Sequence, residues 1–192
     1  MKQVISIILI ALMFSSCKTL NLNAEFKPEG KKPYLIGKIN KIGFQSETYT
    51  TWFNTNYKNY KLDLKTIEAI KSHLKEYDIK LFMGTWCGDS KREVPKFYKI
   101  LDATNYPIKQ LTAVAVSREP NLYKESPQHE EAGLNIVRVP TFIFFKDGKE
   151  VNRIIERPIE TLEKDILKII RDNDYKPNYF GIKKKSKKSK NL

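Results

Sequence analysis

Ile79-Lys80-Leu81-Phe82-Met83-Gly84-Thr85-Trp86-Cys87-Gly88-Asp89-Ser90 is the stretch that decides how this chain folds. Ile79 to Met83 is an apolar run of strand length, and from about Ser90 to Leu101 the residues Val94, Phe97, Tyr98 and Leu101 recur at helical spacing. Cys87 therefore sits where a strand gives way to a helix. Unpaired N–H groups and the positive end of the dipole at a helix N-terminus favour thiolate over thiol, which makes Cys87 a candidate nucleophile. Lys91 and Arg92 act in the same direction and Asp89 against it.

Upstream of this junction, Asp63 can cap a helix over Leu64–Glu76 that places Ile67, Ile70 and Leu74 on one side. Before it, Tyr49, Trp52, Phe53, Tyr57 and Tyr60 fit one face of another helix, a face that reads as core packing rather than as an aromatic binding platform. Downstream, Leu111 to Val116 is a second buried strand, Pro120 to Gly133 reads as loop and helix, and Val139 to Phe145 is a third strand. Lys146-Asp147-Gly148-Lys149 supplies a hairpin turn with its return strand over Glu150–Ile155, and a last helix runs from about Ile159 to Arg171 with Pro158 at its first turn. This order predicts an α/β domain with a central mixed sheet.

A chain of 192 residues supports one domain of ordinary size. Nothing after residue 17 approaches the roughly 20 consecutive apolar residues of a membrane-spanning helix. Two cysteines, Cys17 and Cys87, and two histidines, His73 and His129, are too scattered for a structural zinc site, so no metal is expected. Both histidines lie among charged neighbours and read as surface residues. The glycine patterns of nucleotide-binding loops are absent, and no cofactor is expected.

The ends of the chain differ from its middle. Lys2 followed by the apolar run Val4–Phe14 and by Ser15-Ser16-Cys17 resembles a bacterial lipoprotein signal, apart from Phe14 where a smaller aliphatic residue is usual. That resemblance implies a signal peptide over 1–16, cleavage before Cys17, lipidation of Cys17 and a membrane-anchored protein of the bacterial cell envelope, facing the periplasm or the surface. The other reading is an ordinary secretory signal. Residues 17–33 then form the lipidated cysteine and a polar spacer, 34–174 the folded domain and 175–192 a lysine-rich, disordered tail. Of the formal charge of +13, Lys2 contributes +1 and the six lysines of residues 183–192 contribute +6, which leaves +6 on residues 18–182. A lysine tail without arginine or aromatics attracts anions but reads no base, so a nucleic-acid partner is not expected.

Four features in order resemble the thioredoxin family: Trp86-Cys87 at the strand-to-helix junction, Pro95 eight residues after the cysteine, Val139-Pro140-Thr141 before a strand, and the Phe144-Phe145-Lys146-Asp147-Gly148 hairpin. The resemblance spans roughly Leu64 to Arg171 and implies a three-layer thioredoxin-like fold with extra N-terminal elements. It also implies that Pro140 is cis and, with the Val139 backbone, lies beside Cys87, where both would align an extended partner chain. Two departures stand out. Ser90 occupies the position of the family's second cysteine, and Leu81 that of its buried carboxylate.

Both losses concern the resolving half of thiol–disulfide exchange. The half that survives is attack by Cys87, with Trp86, Pro140 and Ser90 as the remaining catalytic candidates and the Ser90 hydroxyl as a donor to the thiolate. Val139, Pro140, Gly88 and Asp89 are the candidate substrate contacts. The expected partners are cysteine-containing envelope proteins or small thiols. Two competing readings are a redox-inactive module that grips an extended peptide beside Val139 and Pro140, and an envelope adaptor that binds through its lysine tail.

Overall fold

The structure, a computed structural model, describes residues 21–171 and 174–184. Its elements are β1 (Glu25–Phe26), β2 (Tyr34–Leu35), β3 (Gly37–Ile39), α1 (Glu47–Asn59), α2 (Leu64–Leu74), β4 (Asp78–Met83), α3 (Gly88–Ala103), β5 (Leu111–Ala115), β6 (Thr141–Lys146), β7 (Lys149–Ile155) and α4 (Leu162–Arg171). Five strands form one mixed sheet in the order β3-β5-β4-β6-β7. β4 and β5 run parallel with α3 as their crossover, and the other three pairings are antiparallel. The expected α/β architecture, a central mixed sheet flanked by helices, is the one observed.

Alternation along β4 divides the core. Ile79, Leu81 and Met83 join Phe142 and Phe144 of β6 and the buried faces of all four helices in the larger cluster. Phe82, with Val114 and Ile143, turns to the other side and meets Ile136 and Val139 in a smaller one. This is the period of two that a strand imposes on its side chains.

Each helix has a local cause. The Asp63 carboxylate accepts from Thr66 N–H at 3.2 Å and starts α2. The aromatic face of α1 is core: Phe53 is 1% exposed and stacks on Phe44 with ring centroids 4.7 Å apart. Between β6 and β7 the turn residues Asp147 and Gly148 both have positive φ, 52° and 73°, the backbone that a tight hairpin requires. α4 starts at Leu162 rather than near Ile159, and Pro158 is not in its first turn. The reason is Asp165, whose buried carboxylate takes the N–H groups of Ile159 and Glu160 and holds them outside the helix.

Three expectations need correction. No α-helix forms between Pro120 and Gly133, where the described residues contain one short 3-10 turn, Pro120–Leu122. The polar spacer is not free of the domain from residue 21 onward. Asn23 N–H donates to the carbonyl of Lys38 at 2.9 Å, the Asn23 side chain pairs with Asn40, and β1 pairs with β2. Residues 175–184 do not behave as an unstructured tail either. Tyr175 is buried with its hydroxyl on Asp165 at 2.7 Å, and Asn178 and Lys184 bond to Arg157 and Asn135. Composition conceals both attachments because they rest on hydrogen bonds of the backbone and of polar side chains, which leave no hydrophobic period. Cys17 and the lysines from 185 onward lie outside the described residues.

Candidate functional site

β4 ends at Met83, and the chain turns through Gly84, Thr85 and Trp86 to reach Cys87, the N-cap of α3. Cys87 N–H donates to the carbonyl of Gly84 at 2.9 Å, and Lys91 N–H donates to the carbonyl of Cys87 at 3.0 Å, so both sides of the turn are fixed by backbone. The turn is also closed by Trp86, whose indole N–H donates to the carbonyl of Val116 at 2.9 Å. Its ring lies so close over Gly84 that a Cβ there would come within 2.5 Å of it. Glycine is therefore required at this position for reasons of space.

Cys87 is partly exposed and is a free cysteine. Its sulfur lies 3.2 Å from the carbonyl oxygen of Val139, to which the thiol donates, and the Val139–Pro140 peptide is cis. Cys87, Val139 and Pro140 thus come together as the resemblance implied, through the packing of β4 against β6. Val139 is 3% exposed and sits in the smaller core cluster, against which Trp86 and Cys87 also pack.

The other candidates are placed differently. The Ser90 hydroxyl is wholly buried and accepts from Gly84 N–H at 3.2 Å, so the hydrogen bond it makes goes to the strand end and not to the Cys87 sulfur. Asp89 pairs with Arg92, which also bonds to Glu93. The opposing charges that Arg92 and Asp89 were expected to bring to the sulfur therefore largely satisfy one another. Gly88 is exposed as the first residue of α3, with open space where a side chain would go. Leu81 is fully buried among apolar side chains. His73 and His129 are exposed and paired with Glu76 and Glu131. No group of side chains among the described residues is arranged to hold a metal ion.

Two residues near the sulfur were not legible in the sequence. Lys124, 8% exposed, donates its ammonium to the carbonyl of Val137 at 2.6 Å, and the ring of Tyr123 lies 5.7 Å from that of Trp86. Burial, followed by the neighbouring charge of Arg138, holds Lys124 below the usual lysine range, while Cys87 acts the other way. Lys124 thus reaches the carbonyl two residues before Val139, whose own carbonyl accepts from the Cys87 thiol. A lysine in an irregular loop carries no pattern that could have announced it. Its left-handed backbone, φ 60°, is visible only in three dimensions.

A mixed α/β sheet with a partly exposed cysteine at a helix N-cap, facing a cis X–Pro peptide from the neighbouring strand, defines a thioredoxin-like protein. Comparison with known sequences agrees: the thioredoxin family model matches residues 40–168, and the chain belongs to that family. The chain is 34% identical over 86 residues to a thioredoxin-like protein of Acanthamoeba polyphaga mimivirus, a match covering 45% of this chain and 57% of that protein. It is 26% identical over 133 residues to Thioredoxin-2 of Pyricularia oryzae, covering 64% and 72%, and 32% identical over 85 residues to the mitochondrial Thioredoxin-3 of Saccharomyces cerevisiae, covering 44% and 59%. The matches to the mimivirus and yeast proteins thus span less than two thirds of those proteins. Among solved structures, a Pseudomonas aeruginosa protein of unknown function superposes with a TM-score of 0.50 at 13% identity, covering 67% of this chain and 87% of that one, a likeness of fold alone. No described helix is long and apolar enough to cross a membrane.

Proposed function

We propose that the protein is a thiol–disulfide oxidoreductase or isomerase of monothiol type, working through Cys87 alone. The observation that carries this reading is the partly exposed Cys87 sulfur 3.2 Å from the Val139 carbonyl, at the N-cap of α3 and next to the cis Pro140, in a member of the thioredoxin family. In the reaction the Cys87 thiolate attacks one sulfur of a partner disulfide. A new S–S bond joins Cys87 to the partner, and the partner's other sulfur leaves as a thiolate and takes up a proton. With Ser90 in place of a second cysteine, an external thiol must then attack the mixed disulfide to free Cys87. The Val139 carbonyl borders the sulfur, and Val139 and Pro140 together with Gly88 and Asp89 of the first turn of α3 are the residues along which a partner chain would lie, while Trp86 holds the turn.

The envelope setting is part of the same proposal. Lys2, the apolar run Val4–Phe14 and Ser15-Ser16-Cys17 support an anchor lipidated at Cys17, with cysteine-containing envelope proteins or small thiols as partners. A redox-inactive peptide-binding module is the second reading. It is favoured by the Ser90 hydroxyl being turned to Gly84 rather than to the sulfur.

Covalent capture separates the two readings. Wild-type protein incubated with envelope extract and quenched by acid should carry partners through bonds cleaved by reductant, and Cys87→Ser should carry none. Equal, reductant-insensitive capture by both proteins would overturn the thiol reading.

A further inference from the structure

Next to the Cys87–Val139 contact the fold opens a cavity of about 540 Å³ whose wall carries four cationic side chains, Lys124, Arg138, Lys183 and Lys184. The size is that of a ligand site, roughly 300–1,000 Å³. Its connection to the sulfur is short. Arg138 directly precedes Val139, Lys124 is bonded to the carbonyl of Val137, and Tyr123, on the cavity wall, lies against Trp86.

Two chain segments distant in sequence build the wall. Lys183 and Lys184 arrive on the C-terminal strap, which is fixed on both sides of Lys183. Asn135 donates to the carbonyl of Ile182 at 2.9 Å and accepts from Lys184 N–H at 2.7 Å. Tyr179, also on the wall, donates its hydroxyl to Glu156 and packs under the guanidinium of Arg138. Two carboxylates approach the cations, Glu125 at 3.8 Å from Lys184 and Glu156 at 3.9 Å from Arg138. Four positive charges against two negative ones leave a cationic excess at a partly apolar cleft.

We propose that this cavity seats an acidic peptide segment flanking the disulfide that Cys87 attacks, so that substrates with Asp or Glu beside the reacting cysteine are preferred. The inference rests on the reactive-thiol reading and names the substrate class for the same site. Charge complementarity acts mainly on the rate of encounter, and it is screened by salt. The spread of cations over two segments, with tyrosine and aliphatic side chains between them, matches a polypeptide of a few residues better than a single small anion.

The test measures the second-order rate of mixed-disulfide formation by the full chain with three peptide disulfides that are alike except for acidic, neutral or basic flanks. A small aromatic dicarboxylate disulfide serves as a fourth probe. At low ionic strength the acidic peptide should react about 10-fold faster than the basic one, and the ratio should fall below about 2-fold at 0.5 M salt. Lys183→Glu/Lys184→Glu should cut the ratio at least about 5-fold, whereas Lys61→Glu/Lys65→Glu, with the same change in net charge on exposed residues elsewhere, should leave most of it. Equal rates for the three peptides would overturn the inference and leave the thiol reading standing. Failure of every disulfide to react would overturn both. A charge preference matched by the small dicarboxylate, or removed equally by the two double variants, would reduce the effect to general steering and overturn the peptide seat.

Discussion

The face of the sheet under the helices is filled by side chains that pack on one another, whereas the opposite face is closed by an irregular segment, 117–139, held largely through polar contacts. On the helical side Phe44, Phe53, Tyr98 and their aliphatic neighbours form a continuous core. On the other side only a small apolar cluster lies beneath the chain. The segment above it is tied by Lys124 to Val137, by Ser126 to Glu131 and Glu130, and by Asn135 to the C-terminal strap. The cysteine and the basic cavity border this second side. A face closed by loops leaves charged groups and backbone carbonyls next to solvent, where a partner can reach them. The helical face is closed mainly by apolar side chains, and its buried carboxylates Glu163 and Asp165 are already taken up by Tyr60 and by the N–H groups of Ile159 and Glu160.

This contrast can be broken by experiment. Phe53→Ala on the helical side should lower the unfolding free energy by about 3–5 kcal/mol in urea titrations. In the folded variant the rate at which Cys87 reacts with a neutral disulfide should stay within about 2-fold of wild type, since Phe53 touches nothing in the site. A large rate loss with folding intact would mean that the two faces are coupled.

A smaller effect is expected across the sheet. Glu131 is buried and its carboxylate accepts from the backbone N–H of Ser126 at 2.9 Å as well as from the Ser126 hydroxyl. Glu131→Gln should cost about 1–3 kcal/mol, and amide exchange should rise through 117–139 while the amides of α2 and α3 keep their protection. Uniformly faster exchange would show that the segment does not open on its own.

The smallest effect concerns pH. Lys124 is held below its ordinary value of 10.5 by burial. Between its value in the folded chain and 10.5 the unfolded chain therefore binds more protons than the folded one, and stability rises with pH across that window. Relative to Lys124→Met, wild type should gain unfolding free energy as pH is raised towards 10.5 and gain no more beyond it. A difference that is flat in pH, measured in urea at pH 8 to 11, would remove Lys124 from the buried side of the site.

Much of this architecture was legible in advance, and the readable parts share a cause. β4, α3 and the Asp147–Gly148 hairpin are set by local chemistry: strand-length apolar runs, helical spacing, and a turn that needs positive φ. The junction at Cys87 followed from the same signals. The placement of Ser90 did not, because which way a buried hydroxyl turns depends on a free backbone N–H at Gly84, a partner supplied by the fold. Residues 120–133 read as loop and helix because their composition is compatible with both, and the actual shape of the segment is set by single contacts such as that of Lys124 with Val137. The strap of residues 175–184 was concealed by the lysine run that begins at Lys183, although Tyr175 and Tyr179 anchor it to Asp165 and Glu156.

Residue order alone carries the succession of strands and helices from α1 to α4 outside residues 120–133, the position of one cysteine at a strand-to-helix junction, and the absence of a second cysteine beside it. These follow from periodicity and residue identity, which act over a few neighbours. Long-range packing is what brings the sulfur to the Val139 carbonyl, turns Ser90 to Gly84, and gathers Lys124, Arg138, Lys183 and Lys184 around one cavity. Such contacts join residues far apart in the chain, and they exist only once the sheet and its covering segments have packed.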